Sequence, residues 1–186
     1  MDWFSNLVQE KPKPVCDKGD FIFAAIGLEH GHINNMCSKL IEAGGVLKWV
    51  YDNDLKKLDA FIKKFPTCSI AKSQQEIMQD SEVHMVVSAA VPSERYKIGI
   101  KTMEHEKDFF TAETPFTQLS QLEQVNQVIK QTKRKYAVNY SERVSDESAI
   151  FAGRLLECGA IGRVVQVLGM GPHRLNLPSR PDWFFY

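Results

Sequence analysis

Short apolar runs alternate with amphipathic segments along most of this chain. Residues 21–26 are almost continuously apolar and end at Gly27, which is typical of a strand buried on both faces of a sheet. Residues 46–51 repeat this pattern and end at Asp52. Between the two runs, apolar residues follow the i, i+3, i+4, i+7, i+8 spacing of one buried helical stripe, namely Ile33, Met36, Cys37, Leu40 and Ile41. This part of the chain therefore predicts a strand, a helix and a second strand.

The same alternation predicts three further strands and four further helices before residue 141. The strands are expected at 83–90, 109–111 and 136–140, and the helices at 55–65, after Ser73, at 92–105 and at 120–132. Strands that alternate with helices of this length form right-handed crossovers. The predicted fold class is therefore α/β, a doubly wound parallel sheet with helices on both faces.

The regular alternation of predicted strands and helices ends after Tyr140. We expect a helix at 146–158, a strand at 163–168 and a loop-like tail that ends in the four aromatic residues 183–186. Residues 1–20 are broken by prolines and turn residues and are predicted to be a flexible N-terminal arm. Residues 21–140 then form the sheet domain, and residues 141–186 are expected to begin a second domain that they do not complete.

Composition and charge exclude several classes of protein. The 186 residues carry 23 basic and 23 acidic side chains, and a net charge of zero argues against nucleic acid as a partner. No run approaches the ~20 apolar residues that cross a membrane, and the N-terminus does not resemble a secretion signal. The four cysteines are widely spaced and predict neither disulfides nor a metal site. A cytoplasmic protein is expected.

The turn from Gly27 to Ile33, which consists of Gly27, Leu28, Glu29, His30, Gly31, His32 and Ile33, carries the most chemical information. A strand that runs directly into a helix aims unpaired backbone N–H groups and the positive end of the helix dipole at one point, which suits a pyrophosphate. Asp52 follows the second strand, 21 residues after Gly31, where an acidic side chain accepts hydrogen bonds from adenosine ribose hydroxyls. These features predict a dinucleotide site for NAD, with NADP as the other cofactor considered.

The turn departs from the usual G-x-G-x-x-G frame. Glu29 occupies the second glycine position and His32 the third, so that a negative charge and a Cβ stand where the backbone approaches an anion. A strand-to-helix turn that binds no ligand is therefore the alternative interpretation of this segment.

A metal site is a further alternative for the same turn. His30 and His32 are two residues apart after a strand, and two such rings can face one metal ion, as in barrel hydrolases. Such a site needs further His and Asp ligands at later strand ends. Because no Asp follows a late strand in a suitable position, we predict no metal.

Seven short motifs, taken in order and at their spacing, resemble one family of proteins. They are Ala25-Ile26-Gly27, Gly31-His32-Ile33, Val50-Tyr51-Asp52, Ser88-Ala89-Ala90-Val91-Pro92-Ser93, Glu113-Thr114-Pro115-Phe116, Glu142-Arg143 and Gly159-Ala160-Ile161-Gly162-Arg163-Val164. From about Asp20 to the end, the chain resembles the Gfo/Idh/MocA family of NAD(P)-dependent oxidoreductases. The resemblance implies a Rossmann-like dinucleotide-binding domain over 21–140 and, over 141–186, the beginning of a truncated α+β substrate domain.

The resemblance also implies a reaction and further site residues. Members of the family interconvert an alcohol and a ketone, typically on a sugar or polyol, and often form homo-oligomers. By position, Ala90, Val91 and Pro92 would lie near the nicotinamide-side ribose. Glu113 would stand in the family's Glu-Lys-Pro motif, close to the nicotinamide.

Two departures from the family concern catalysis. The lysine of the Glu-Lys-Pro motif is Thr114 here, and a neutral hydroxyl supplies neither a cation nor a titrating amine. The family's Asp-x-x-x-His motif would lie beyond Tyr186. The catalytic residues therefore remain unknown from the sequence, and a non-catalytic dinucleotide-binding or regulatory protein is the alternative function.

Overall fold

The computed structural model describes residues 13–142, 146–171 and 174–185. The predicted arm residues 1–12, Arg143 of the Glu142-Arg143 motif and the final aromatic residue Tyr186 lie outside the described residues.

Six strands form one parallel sheet. They are β1 (Ile22–Ile26), β2 (Val46–Tyr51), β3 (Ser69–Ile70), β4 (Met85–Ser88), β5 (Asp108–Ala112) and β6 (Tyr136–Asn139). Their order across the sheet is β3-β2-β1-β4-β5-β6, and every neighbouring pair is parallel. This is the strand order of the doubly wound dinucleotide-binding fold, so the predicted Rossmann-like fold class is confirmed.

Helices connect the strands. They are α1 (His32–Glu42), α2 (Leu55–Lys64), α3 (Gln74–Gln79), α4 (Pro92–Glu104) and α5 (Leu119–Thr132). Side chains fix two of their beginnings, because Asp54 accepts hydrogen bonds from the backbone N–H groups of Lys56 and Lys57, and Ser73 accepts one from Glu76. Pro92, which has no N–H to satisfy, stands at the start of α4.

The core lies on both faces of the sheet. Along β1, Phe23 and Ala25 belong to one cluster of buried side chains, whereas Ala24 and Ile26 belong to another. The first cluster joins the sheet to α1 and α2, and the second includes the buried side chains of α3. Because β1 is buried on both faces, its sequence is a continuous apolar run and does not alternate.

Two strands differ from the sequence-based prediction. The edge strand β3 was not predicted, because its two residues are exposed and carry no apolar pattern. The strand predicted at 163–168 is wrong: these residues form no strand, although three of them are valines. Within the described residues they have no neighbouring strand, and a β-strand needs such a partner for its hydrogen bonds.

The described residues after Tyr140 belong to a second compact unit. It contains α6 (Glu147–Glu157), whose first turn is capped by Asp146, and two 3₁₀ turns at Leu177–Ser179 and Asp182–Phe185. In the described part of this unit, α6 has no buried residue.

Part of the predicted N-terminal arm is attached to the sheet domain. The backbone N–H of Val15 donates to the carbonyl oxygen of Ala43 at 2.9 Å, just beyond the end of α1. Among the described residues, no helix combines the length and the apolar character needed to cross a membrane.

Candidate functional site

A cavity of about 610 Å³ opens at the carboxyl ends of β1, β2 and β4. Its volume lies within the range of small-molecule sites in proteins. The cavity borders the point between β1 and β4 where the strand order reverses, which is where doubly wound sheets bind their ligands. Its lining includes Gly27, Glu29, Asp52, Ala90 and Val91 from the sequence prediction.

Gly27 shapes the first turn. Its φ is +80°, and a Cβ at this position would stand 2.7 Å from the Cβ of Ala90. The backbone N–H of Gly27 donates to Tyr51, and its carbonyl oxygen accepts from Ala89. Glycine is therefore required here both by the positive φ and by the close approach of β4.

Most amide hydrogens of the turn are already used within the protein. Those of Gly27, His30 and Ile33 donate to backbone carbonyls, that of Leu28 to Asp52 and that of His32 to Nδ1 of His30. In the part of the chain that the structure describes, the amides of Glu29 and Gly31 have no acceptor. A Cβ at Gly31 would meet no atom within 4 Å, so the side-chain side of this residue is open. These two N–H groups are therefore the donors that an anion can use.

Asp52 joins the turn to the loop after β2. One carboxylate oxygen accepts from the N–H of Leu28 at 2.6 Å, and the other from the N–H of Asp54 at 2.8 Å. A carboxylate offers about four acceptor positions, so both oxygens retain capacity for a further donor. Asp52 thus shapes the turn and can still bind ribose hydroxyls.

Glu29 does not close the cavity. Its carboxylate pairs with the ammonium group of Lys57 on α2 at 2.5 Å and forms part of the cavity wall. Burial disfavours the charge on Lys57, but the hydrogen bond to Glu29 and the carboxylates of Asp52 and Asp54 outweigh it and raise the pKa of Lys57. Lys57 thereby compensates the charge that Glu29 places in the turn.

The opposite wall comes from α4, and the sequence analysis did not identify it. Glu94, Lys97, Ile98 and Lys101 line the cavity there. The hydrogen bond from Lys97 to Glu94 raises the pKa of Lys97. Glu94 and Lys97 are exposed, whereas Ile98 and Lys101 are half-buried. Their spacing is that of one side of an ordinary surface helix, so only the position of the helix identifies them as cavity residues.

Arg95 is the second residue that the sequence analysis missed. It is 1% exposed, and its guanidinium donates to the carbonyl oxygens of Ala90, Ala112 and Thr114. Burial lowers the pKa of Arg95, and the neighbouring carboxylate of Glu113 opposes this effect. Arg95 therefore ties the end of β4 to the end of β5, where the remaining predicted site residues stand.

A second group of predicted residues lies outside the cavity lining. Nδ1 of His32 is 3.1 Å from Oε1 of Glu113, which follows β5, and the rings of His30 and His32 are 4.0 Å apart. The distance between His32 and Glu113 is that of an ion pair, although the alignment is not that of a hydrogen bond. The structure thus brings the first turn and the end of β5 together through these side chains.

The other predicted residues support the site indirectly. The side chains of Leu28 and Ile33 belong to the buried core, and Pro92 is the first residue of α4. Among the described residues, no three His, Cys, Asp or Glu side chains converge on a point that could hold a metal ion. The alternative of a metal centre at His30 and His32 therefore lacks its remaining ligands.

Comparison with known proteins gives matches among solved structures. A candidate oxidoreductase from Erwinia carotovora atroseptica is 42% identical, with a TM-score of 0.85 over 89% of this chain and 49% of that one. The WlbA dehydrogenase of Chromobacterium violaceum, solved with NADH and UDP-GlcNAcA, is 18% identical, with a TM-score of 0.65 over 84% of this chain and 44% of that one. The myo-inositol 2-dehydrogenase of Lactobacillus plantarum is 16% identical, with a TM-score of 0.64 over 78% and 43%.

No family model and no curated protein matches the sequence. The chain spans about half the length of the first solved structure and less than half of the other two. These neighbours are oxidoreductases of the Gfo/Idh/MocA type, so the resemblance seen in the motifs is confirmed, and the chain corresponds to the N-terminal domain of that family.

Proposed function

We propose that this chain is the dinucleotide-binding part of an NAD-dependent oxidoreductase. The whole protein interconverts a secondary alcohol and a ketone on a sugar or polyol, in the cytoplasm, and a homo-oligomer is the expected assembly. The observation that carries the proposal is the cavity beside the β1–β4 switch point, bordered by the Gly27 turn and Asp52, with Glu29 held in its wall by Lys57.

The residues at the cavity fit a dinucleotide. The amides of Glu29 and Gly31 are available to the pyrophosphate, and the carboxylate of Asp52 to the adenosine ribose. Ala90, Val91 and Pro92 follow β4 on the far side of the switch point, where the nicotinamide-side ribose would lie. When bound, the nicotinamide accepts or donates the hydride.

The charges at the adenosine end favour NAD over NADP. Four acidic residues that line the cavity, Glu29, Asp52, Asp54 and Glu94, outnumber its three lysines, Lys57, Lys97 and Lys101. Lys57 is paired with Glu29 and Lys97 with Glu94. A phosphate on the 2′ position of the ribose would meet a net negative environment there. A ribose hydroxyl instead finds a carboxylate acceptor.

The substrate oxygen requires a proton donor or acceptor, and this chain has Thr114 at the position of the family's motif lysine. Hydride transfer to or from an alcohol needs such a group. The carbonyl oxygen of Thr114 accepts a hydrogen bond from Arg95, and the hydroxyl side chain of Thr114 does not titrate. A dinucleotide-binding regulatory protein without turnover is therefore the second candidate function.

Titration with NADH tests the proposal, with energy transfer from tryptophan to the nicotinamide as the readout. We expect NAD(H) to bind at least tenfold more tightly than NADP(H). Asp52→Asn should weaken NADH about tenfold and NADPH less, because the charge facing the ribose is lost. The single amide oxygen can keep the contact with Leu28, whereas the NH2 group cannot accept from Asp54. Asparagine is preferable to alanine because alanine would also release the turn.

Asp59→Asn on the exposed face of α2 is the matched control, since it removes an equal charge away from the cavity. Absence of NADH binding at millimolar concentration would refute the proposal, and equal losses for both cofactors in Asp52→Asn would refute the role of Asp52. A whole protein that binds NADH but turns over none of a panel of polyols would favour the regulatory alternative.

A further inference from the structure

The neighbouring side chains of His32 and Glu113 each contain a buried polar atom without a hydrogen-bond partner among the described residues. Their side chains are 36% and 31% exposed, and Nδ1 and Oε1 lie 3.1 Å apart. Nδ1 of His32 and Oε2 of Glu113 are nevertheless buried and, within the described part of the chain, have no hydrogen-bond partner. Buried polar atoms are usually paired, so two such atoms in adjacent ionisable groups call for an explanation.

The location of the pair suggests that explanation. In a sheet of this strand order, a dinucleotide crosses the crevice between β1 and β4. The cavity with Asp52 lies toward β1 and β2, where the adenosine would be held. The other half of the dinucleotide then extends toward the carboxyl ends of β4 and β5, and Glu113 is the first residue after β5.

The two oxidation states of the dinucleotide differ in charge at that end, because the nicotinamide ring is cationic when oxidised and neutral when reduced. We propose, on the basis of the function proposed above, that the His32–Glu113 pair determines how strongly the site prefers the oxidised over the reduced dinucleotide. With His32 neutral, the carboxylate of Glu113 attracts the oxidised ring. With His32 protonated, the carboxylate is already neutralised and that attraction is lost.

Among the described residues, His30 and Arg95 lie beside the pair. From the first turn, His30 places its ring 4.0 Å from that of His32, and its Nδ1 accepts the N–H of His32. From α4, the guanidinium of Arg95 interacts with Glu113 and keeps its charge across the accessible pH range. Arg95 therefore adds a constant contribution, and a variant of His30 is needed to separate the effect of this second imidazole from that of His32.

Equilibrium binding of both dinucleotides at pH 6.0 and pH 8.5 tests the proposal. We expect NAD⁺ to bind about fivefold more tightly at pH 8.5 than at pH 6.0, because one proton must leave His32 for Glu113 to attract the ring. The affinity for NADH should change less than twofold. Calorimetry in two buffers with different ionisation enthalpies should accordingly detect proton release on binding of NAD⁺ and little release on binding of NADH.

Variants of the two residues should act in opposite directions. His32→Asn should bind NAD⁺ at both pH values as tightly as the unmodified protein does at pH 8.5. Glu113→Gln should bind it at pH 8.5 about as weakly as the unmodified protein does at pH 6.0, because the attracting carboxylate is gone. His30→Asn should retain most of the pH dependence. His84→Asn is the remote control, because His84 accepts from Ile22 at the other end of β1 and should leave both affinities unchanged.

Each outcome bears on the proposal. Equal pH dependence for NAD⁺ and NADH would overturn the proposed role of the pair while leaving dinucleotide binding intact. The role would also be overturned if the pH-dependent difference in affinity between NAD⁺ and NADH persisted in both His32→Asn and Glu113→Gln. If His30→Asn were the only variant to lose the pH dependence of NAD⁺ affinity, His30 and not His32 would cause it, and the proposal would be overturned. If neither NAD⁺ nor NADH bound at any pH, the proposed function and this inference would both be refuted.

Discussion

At the scale of single residues, side chains of the candidate site already make contacts within the protein. Asp52 holds two backbone amides, and Glu29 is paired with Lys57. Gly27 permits a turn that no other residue allows without strain. The acidic residue at the second glycine position is therefore compatible with a dinucleotide site, because a lysine from the next helix compensates its charge.

Gly27→Ala should destabilise the protein by about 3 kcal/mol, since a positive φ costs about 1–2 kcal/mol and the contact with Ala90 must also be relieved. Urea denaturation measures this loss. Gly31→Ala is the matched control: its φ is negative and the added Cβ meets no atom, so we expect a change within about 1 kcal/mol. Equal losses in the two variants would contradict the role assigned to Gly27.

At the scale of the elements, polar side chains join helices and strands at both ends of the sheet. Arg95 connects the carboxyl ends of β4 and β5 through three carbonyl oxygens. On β2, Lys48 and Trp49 both contact the carboxylate of Asp80, the residue that ends α3. These contacts fix the separations between elements that apolar packing alone leaves adjustable.

The Asp80 contacts predict a pH dependence of stability. Partial burial favours the neutral acid, but hydrogen bonds from Lys48 and Trp49 outweigh it and lower the pKa of Asp80 below its ordinary value of 3.8. A carboxyl group with a lowered pKa in the folded state stabilises the protein above about pH 4 and loses that contribution as the pH falls through the folded value.

Urea midpoints between pH 2.5 and pH 6 should therefore fall less steeply for Asp80→Asn than for the unmodified protein, and Asp80→Asn should be the less stable of the two at pH 6. Asp59→Asn, which removes an exposed carboxylate without such contacts, should follow the unmodified curve. Parallel curves for Asp80→Asn and the unmodified protein would contradict this assignment.

At the scale of the whole molecule, the cavity and the core belong to one unit. Every buried cluster and every residue that lines the cavity lies within Glu10–Tyr140. The described residues after Tyr140 form their own unit, and α6 there has no buried residue. Binding of the dinucleotide and stability of the sheet should therefore not depend on those later residues.

A chain that ends at Tyr140 should fold in one cooperative transition and bind NADH within about twofold of the full chain. Circular dichroism during thermal unfolding and the same tryptophan-to-NADH titration provide the measurements. A truncated chain that fails to fold, or that folds but loses NADH affinity by tenfold or more, would show that residues after 140 take part in the core or in the site.

The residue pattern was sufficient to predict the α/β alternation, the helices at 55–65 and after Ser73, and the turn after β1, because burial on both faces and helical periodicity are local in their residue pattern. It could not determine β3 or the absence of a strand at 163–168, because both depend on whether a neighbouring strand is present.

Tertiary structure alone decided which side chains meet at the site. The pairing of Glu29 with Lys57, the contact of His32 with Glu113 and the contacts of Arg95 with the carbonyl oxygens of Ala112 and Thr114 join residues 17 to 81 positions apart in the chain. The local sequence pattern does not identify such partners, because a charged residue on a helix has the same sequence pattern whether it faces solvent or the end of a neighbouring strand. Only the order of the strands, which places the ends of β1, β4 and β5 side by side, brings them together.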